Sequence, residues 1–509
     1  MIRDIRNILR LLTIARTLAR HDALFPLENL DVAPPVVALA KLVSRRREPG
    51  RPGERLSRAL QEAGPSFIKL GQALSTRPDL LGEEVAADLS ALQDRVEPFP
   101  GSEARATIER ELEAPITRLF RQFDDVPVAA ASIAQVHRAV DTEGREVAVK
   151  VLRPGIEDAF HRDLDLFFWV AEMIELARPD LRRLRPVDSM RTLADTVEIE
   201  MDLRFEAAAA TELAENFAGD PGFVVPRVDW GRTAQRVLTT EWVAGIPIDD
   251  RAGLIKAGHD PQAVIAKAAE AFFLQVFRDG FFHADLHAGN LFVRADGSVV
   301  AVDFGIMGRL DQRTRQYLAD LLLAFLSRDY RRAAEVHFEA GWVPMHRSSA
   351  SFTQACRSIG EPIMDKPQNE ISVGQLLGQL FQITKTFEME VQPDLLLLQR
   401  TILVAEGTGR ALCPEANMWL LARPLMERWM MSALAPDARV REAAREVATT
   451  LARLPDIVRS VDKVVAALAD GSIRLHPQTV RELRGEDRRA SSTLLWMGVI
   501  FILVLIFLV

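Results

Sequence analysis

Between His283 and Gly305 the chain reads HADLHAGNLFVRADGSVVAVDFG, which spaces an imidazole, the Asp285 carboxylate, the Asn290 carboxamide and the Asp303 carboxylate across one short hairpin. Those residue types suit phosphoryl transfer. Such a reaction asks little covalent chemistry of a protein; it needs cations at the phosphates, held by hard oxygen ligands, and a carboxylate that orients the attacking hydroxyl. Asp285 stands where the orienting carboxylate belongs, and Asn290 and Asp303 offer oxygen ligands for Mg2+. Asp296-Gly297 marks the hairpin turn and Val299–Val302 the returning strand, which brings Asp303 back towards Asn290. Any one of these residues alone would pass for a cap or a turn, but the ordered set is specific.

Upstream, Val147, Ala148, Val149 and Lys150 follow a Glu143-Gly144 turn and read as a strand. A lysine there can reach the α- and β-phosphates as a point charge. A buried glutamate should orient it, and VEIEMDLRFEAAA supplies candidates: Glu200 first, Glu198 as the alternative, with Asp202 as a further ligand. Ahead of the lysine strand, where a glycine-rich phosphate loop would be expected, the chain reads AAASIAQVH from Ala129 to His137. Alanine does not adopt positive φ as freely as glycine. Ala129, Ala130, Ala131 and Ser132 should therefore form a stiffer cradle, and a nucleotide bound there should sit differently from one over a glycine-rich loop.

The elements that must position these groups follow from the wider pattern. At 509 residues and 56.8 kDa the chain is long enough for two or more packed units. A net charge of −8 argues against wholesale nucleic-acid binding. Cys356 and Cys413 lack metal-ligand spacing and fit buried thiols in a reducing compartment. Short β-branched runs from about Val126 to Gly245, interrupted by a helical stretch from Gly155 to Phe217, precede a mostly helical remainder. That order predicts an α+β protein with a cleft between two lobes. SRRREPGRPGERLSR, Ser44 to Arg58, reads as an exposed linker.

The two ends differ from the body. Ile2, Ile5, Leu9 and Leu12 share a helical face opposite Arg3, Arg6 and Arg10. This opening helix could lie on a membrane surface or pack on the body. No signal peptide is evident. From Leu494 to Val509 the sequence carries no charge, and the 19 residues from Ser491 would span roughly 28 Å as a helix. That predicts a single transmembrane anchor, with the weak arginine excess before it favouring a cytoplasmic body.

GPSFIKLGQALSTRPDLL, AAASIAQVH, VAVK, EIEMDLRFEAA, LTTEWVAGIPI, HADLHAGN and VDFG together resemble the successive signatures of the UbiB family, the atypical kinase-like proteins of ubiquinone (coenzyme Q) biosynthesis. The resemblance covers roughly Gly64 to Gly308. It implies a two-lobed protein kinase-like fold with an N-terminal helical extension, divided as 1–54, a KxGQ extension at 55–125, an N-lobe at 126–245, a helical C-lobe at 246–435, a helical region at 436–490 and a transmembrane helix at 491–509. By resemblance the extension folds across the cleft and brings Lys69 and Gln72 near the nucleotide. Glu200 and Asp202 match the family's ExD signature, and Lys150 its nucleotide lysine. The catalytic set is then Asp285, Lys150 and Lys69, and the metal ligands Asn290 and Asp303. Ala129, Ala130, Ala131, Ser132, Lys150, Glu200, Glu241 and Val243 would line the nucleotide.

The implied cofactors are ATP or ADP with Mg2+, and the implied activity is that of an ATPase or unorthodox kinase stimulated by membranes. Implied partners are membrane lipid, polyprenyl-phenol quinone precursors and other ubiquinone-biosynthesis enzymes at the inner membrane. Self-association as a homodimer is left open, since one apolar C-terminal segment stands where the bacterial pattern leads one to expect two. After VDFG a helical pattern begins at Asp311. That leaves little chain for a peptide-binding platform and disfavours an ordinary protein kinase. The remaining alternatives are a kinase acting on ubiquinone-synthesis enzymes and a non-catalytic scaffold switched by nucleotide.

Overall fold

The computed structural model describes residues 2–26, 49–75, 81–90, 92, 97–177, 186–362, 382–384, 386–389 and 393–413. Helix α1 (Ile2–Arg20) buries Leu11, Ile14, Ala15, Leu18 and Ala19, whereas Leu9 is exposed. The stripe that packs is thus displaced round the helix from the one through Leu9, and Arg16 and Arg20 fall outside it. Arg10 pairs with Asp163 at 3.0 Å and Arg6 with Asp165. Of the two readings of this segment, packing on the body is the one observed.

Three helices follow: α2 (Pro52–Ala63), α3 (Pro65–Ser75) and α4 (Glu83–Ser90). Proline suits the first helical position, where its missing N–H is not needed. The Glu54 carboxylate accepts from the Arg51 amide at 3.0 Å, so α2 starts inside the stretch expected to be a linker. Leu56, Leu60, Phe67 and Leu89 join α1 in one core, and the Gly71 position admits Leu60 and Leu92 at close range.

After α5 (Gly101–Glu111) come β1 (Phe120–Phe123), β2 (Ala129–Ala130), β3 (Ala134–Asp141) and β4 (Glu146–Leu152). The predicted helical excursion comprises α6 (Ile156–Ala177), α7 (Pro186–Glu200) and α8 (Leu203–Asn216), and β5 (Phe223–Val224) and β6 (Val237–Glu241) follow. The first sheet runs β1-β3-β4-β6 with β2 along β3. Side chains alternate across a strand. Val147, Val149 and Val151 enter a core with Ile108 and Phe120, while Leu152 joins the core of α3 and α6 on the other face. Lys150 shares that second face.

The helical half contains β7 (Ile246–Pro247), α9 (Arg251–Lys256), α10 (Pro261–Phe273) with a π-helical turn over Leu274–Asp279, β8 (Phe281–His283), β9 (Leu291–Val293), β10 (Val299–Ala301) and β11 (Met307–Arg309). Four helices follow among the described residues: α11 (Gln312–Leu326), α12 (Tyr330–Glu339), α13 (Ser349–Gly360) and α14 (Pro393–Leu412). Asp250, Asp260, Asp311 and Asp329 each cap the helix they precede by accepting a backbone amide. The predicted hairpin forms as β9 and β10, with Val299 opposite Val293 and Gly297 at φ 76 in the turn. A core of Phe272, Phe277, Phe282, Phe304 and Leu398 lies beneath it.

Kinase-like α+β architecture is therefore observed. Both cysteines are buried free thiols, as expected. The predicted membrane segment 491–509 and the region 436–490 lie outside the described residues; among those described, no helix is long and apolar enough to cross a membrane.

Candidate active site

Lys150 is the centre of the site. Its ammonium lies 2.8 and 2.9 Å from the two carboxylate oxygens of Glu206 and 3.0 Å from Asp303 Oδ1. The partner glutamate is neither Glu200 nor Glu198. It is Glu206, in the first turns of α8, where Leu203, Glu206, Ala207, Ala210 and Leu213 form the buried stripe. Glu206 also accepts the Phe304 amide at 3.2 Å, so one carboxylate holds both the lysine and the VDFG segment. Asp303 sits at φ 63, a left-handed conformation uncommon outside glycine and concentrated at functional sites.

Electrostatics follow from that crowding. Burial pushes the Glu206 carboxyl up to about 7, against the pull of Lys150 and with added repulsion from Asp303. Burial also opposes ionisation of Lys150 and Asp303, yet their attraction wins: Lys150 is raised above the ordinary lysine range and Asp303 held well below that of a carboxylate. Of the two acids, Glu206 is thus the one that takes up a proton first.

The loop carrying Asp285 is gripped by its neighbours. His283 is fully buried, and burial keeps its imidazole neutral. Nδ1 accepts the Asp285 amide at 3.1 Å, which leaves Nε2 to face the Val302 carbonyl at 3.4 Å. Gln275, buried in the π-helical turn, accepts the His283 amide at 2.9 Å. Asn290 donates through Nδ2 to the Asp285 carbonyl at 3.1 Å, and its own carbonyl accepts from Val302 at 2.9 Å. These bonds tie Asp285, Asn290 and the strand leading to Asp303 into one unit, as the sequence pattern required. His287 Nε2 stands 3.8 Å from Asp285 Oδ2.

The remaining predicted residues fall into three groups. Lys69 pairs with Glu200 at 2.7 Å, both nearly buried, so α3 is fastened to the end of α7. Asp202 caps α8 through the Arg204 amide and pairs with the Arg204 guanidinium at 2.6 Å. In the alanine-rich segment, Ala129 and Ala130 pair with Val136 and Gln135, and the Ala131 amide donates to Ala134 O at 2.8 Å. That leaves Ser132 and Ile133 as the turn, just beyond the Ala134–Leu152 pair, which lies two register steps from the Val136–Lys150 pair. Ser132 is fully buried, with no partner for its hydroxyl among the described residues. At the other end of the sheet the Glu241 and Trp242 amides donate to Arg227 O and Glu146 O, and Val243 follows as the chain crosses to the helical half.

Sequence reasoning missed Glu206 and Gln275. Glu206 was legible in principle, as the acid on the apolar stripe of α8. Gln275 depends on a π-turn with no clear sequence signal.

Most of the chain is similar to known proteins. Residues 91–337 match the model of the ABC1 atypical kinase-like domain, and residues 356–417 that of the UbiB helical domain. A Marinobacter nauticus protein named probable protein kinase UbiB is 44% identical over 80% of this chain and 76% of its own length. One of the same name from Xanthomonas campestris pv. campestris is 41% identical over 95% of this chain and 89% of its own. A Mycobacterium tuberculosis protein, solved as a complex with erythromycin, is 26% identical, with a TM-score of 0.50, over 72% of this chain and 93% of its own.

Proposed function

The chain belongs to the ABC1/UbiB family of atypical kinase-like proteins, and from that footing we propose that it binds Mg-ATP around Lys150 and Asp303 and hydrolyses it or transfers its γ-phosphoryl group in support of ubiquinone biosynthesis. The observation that carries this reading is Glu206 holding both Lys150 and the Phe304 amide, with Lys150 bridging to Asp303. The lysine, its glutamate and the aspartate proposed to bind metal thus stand in one cluster.

The donor set fits Mg2+, which favours a few oxygen ligands from protein and completes its shell with phosphate and water. Asn290 Nδ2 is committed to Asp285 O, which leaves Oδ1 as a ligand, and Asp303 is held ionised by Lys150. Bound Mg2+ supplies charge neutralisation at the phosphates. Lys150 then turns from Asp303 to the α- and β-phosphates. Val243, where the chain crosses between the lobes, is the adenine contact, and the alanine turn with Ser132 closes over the phosphates. Asp285 takes the proton of the attacking water or hydroxyl as the bond between the γ-phosphorus and the bridging oxygen breaks and ADP leaves.

The acceptor side favours a small or lipid-like molecule over a peptide. Only Ile306–Leu310 separates Gly305 from the Asp311 cap of α11, which leaves no long segment for a peptide platform. The apolar run 491–509 supports anchoring at the inner membrane, where polyprenyl-phenol precursors and the enzymes acting on them are the partners in this reading. Lys69, tied to Glu200, belongs to an extension that restrains the cleft.

Phosphate release from Mg-ATP, with and without anionic liposomes carrying a phenolic quinone-precursor analogue, tests the proposal. Lipid-stimulated turnover that disappears in Asp303→Asn is the expected result. Nucleotide binding without turnover under every condition would overturn the catalytic reading in favour of a nucleotide-switched scaffold.

A further inference from the structure

The hydroxyl of Thr401, on α14, stands 3.1 Å from the carbonyl oxygen of Ala284, the residue between His283 and Asp285. Both residues are buried. The Ala284 amide donates to Ile306 O at 2.9 Å, but no backbone amide among the described residues meets the Ala284 carbonyl. The same hydroxyl lies 2.9 Å from Leu397 O, one turn back along α14. A threonine hydroxyl has one proton to give. Leu397 O already belongs to the helix's own ladder of i→i−4 bonds, so a second donor adds little there. Without Thr401 the Ala284 carbonyl would be buried with no partner, which is the costlier state. Bond economy therefore sends the proton to Ala284.

The consequence lies in where α14 comes from. It falls within the 356–417 match to the helical domain, separate from the kinase-like match over 91–337. The two residues before Asp285 are thus held from different quarters. Gln275 of the π-turn takes the His283 amide, and Thr401 of the helical domain takes up the Ala284 carbonyl. Lys150, Glu206 and Asp303 have no part in either contact.

We infer that Thr401 is a positioning residue for Asp285, through which the helical domain sets the orientation of the acceptor-orienting carboxylate without touching the nucleotide grip. This rests on the phosphoryl-transfer reading above. A displacement of α14 alters how the acceptor is aligned while leaving nucleotide affinity unchanged.

The test compares Thr401→Val, which keeps the shape and removes the hydroxyl, with Thr401→Ser, which keeps the hydroxyl, in the full chain on liposomes. Thr401→Val should lower kcat about tenfold, the effect of roughly one buried hydrogen bond. Nucleotide Kd should stay within about twofold, and Thr401→Ser should restore kcat. Hydrogen–deuterium exchange over residues 283–291 should rise in Thr401→Val and return to normal in Thr401→Ser. Unchanged kcat and exchange in Thr401→Val, or a parallel loss of kcat, Kd and melting temperature in both variants, would overturn the inference. If the wild-type protein itself turns over no ATP, the proposed function fails, and the exchange measurement alone decides whether Thr401 holds the loop.

Discussion

Glu206→Gln separates the two acids that compete for the nucleotide lysine. The substitution preserves side-chain volume and an oxygen for the Phe304 amide, but it removes the charge facing Lys150. In the wild-type site the ammonium is 2.8 and 2.9 Å from Glu206 and 3.0 Å from Asp303. A hydrogen bond to a charged group contributes about 1.5–3 kcal/mol, and a neutral amide recovers about half of that. Lys150 then leans on Asp303 alone, which also ties up the proposed metal ligand. Summed over the two contacts, the net loss is about 1.5–3 kcal/mol in the transition state, which corresponds to a roughly 10- to 150-fold fall in kcat/KM. Glu200→Gln perturbs a different lysine, Lys69, at 2.7 Å. It should lower the melting temperature, because a nearly buried ammonium loses its counter-charge, and it should leave Lys150 in place with turnover largely intact. Phosphate release and nucleotide binding measured side by side for the two variants provide the assay. Greater loss of turnover in Glu200→Gln than in Glu206→Gln would refute the assignment of Glu206 to Lys150.

Three further predictions concern the same cluster and the segment above it. Because burial lifts the Glu206 carboxyl to about 7, turnover should fall as the pH drops through about 7, and Glu206→Gln should flatten that limb; an acid limb unchanged in the variant would exclude Glu206 as its source. Stability runs the other way. A carboxyl raised from its ordinary 4.5 contributes fully below that value and loses the contribution as pH rises through about 7, whereas the lowered Asp303 contributes above its ordinary 3.8 and loses it on acidification. The melting temperature of Glu206→Gln should therefore climb more steeply with pH than that of the wild type between about pH 5 and 7. In β2, which leads into the Ser132–Ile133 turn, Ala130→Gly frees backbone conformations on a scale of about 0.5–1 kcal/mol, so ATP affinity should rise about two- to fivefold relative to ADP; parallel rises for both nucleotides would refute a role in selectivity.

Where the sequence could be read well, local chemistry decided the structure. Asp296-Gly297 sets the hairpin turn, so the return of Asp303 towards Asn290 needs no knowledge of distant packing. Lys150 follows from a strand bounded by a Glu143-Gly144 turn, and the α11 start from the Asp311 cap. Where it could not, the outcome depended on how helices end and which face finds a partner. The acidic stretch from Glu198 to Glu206 looks uniform as a string, but α7 ends at Glu200 and Asp202 caps a new helix. That break sends Glu200 to Lys69 on α3 and leaves Glu206, in the next helix, facing Lys150 on β4. The buried face of α1 is chosen in the same way, by partners such as Asp163 that lie far along the chain. Thr401 and Ala284 are 117 positions apart, so no window of sequence could have joined them. The α7–α8 break therefore does more than misdirect a sequence reader. Two acids six positions apart, each bound to a lysine from a different element, stand on either side of one short turn.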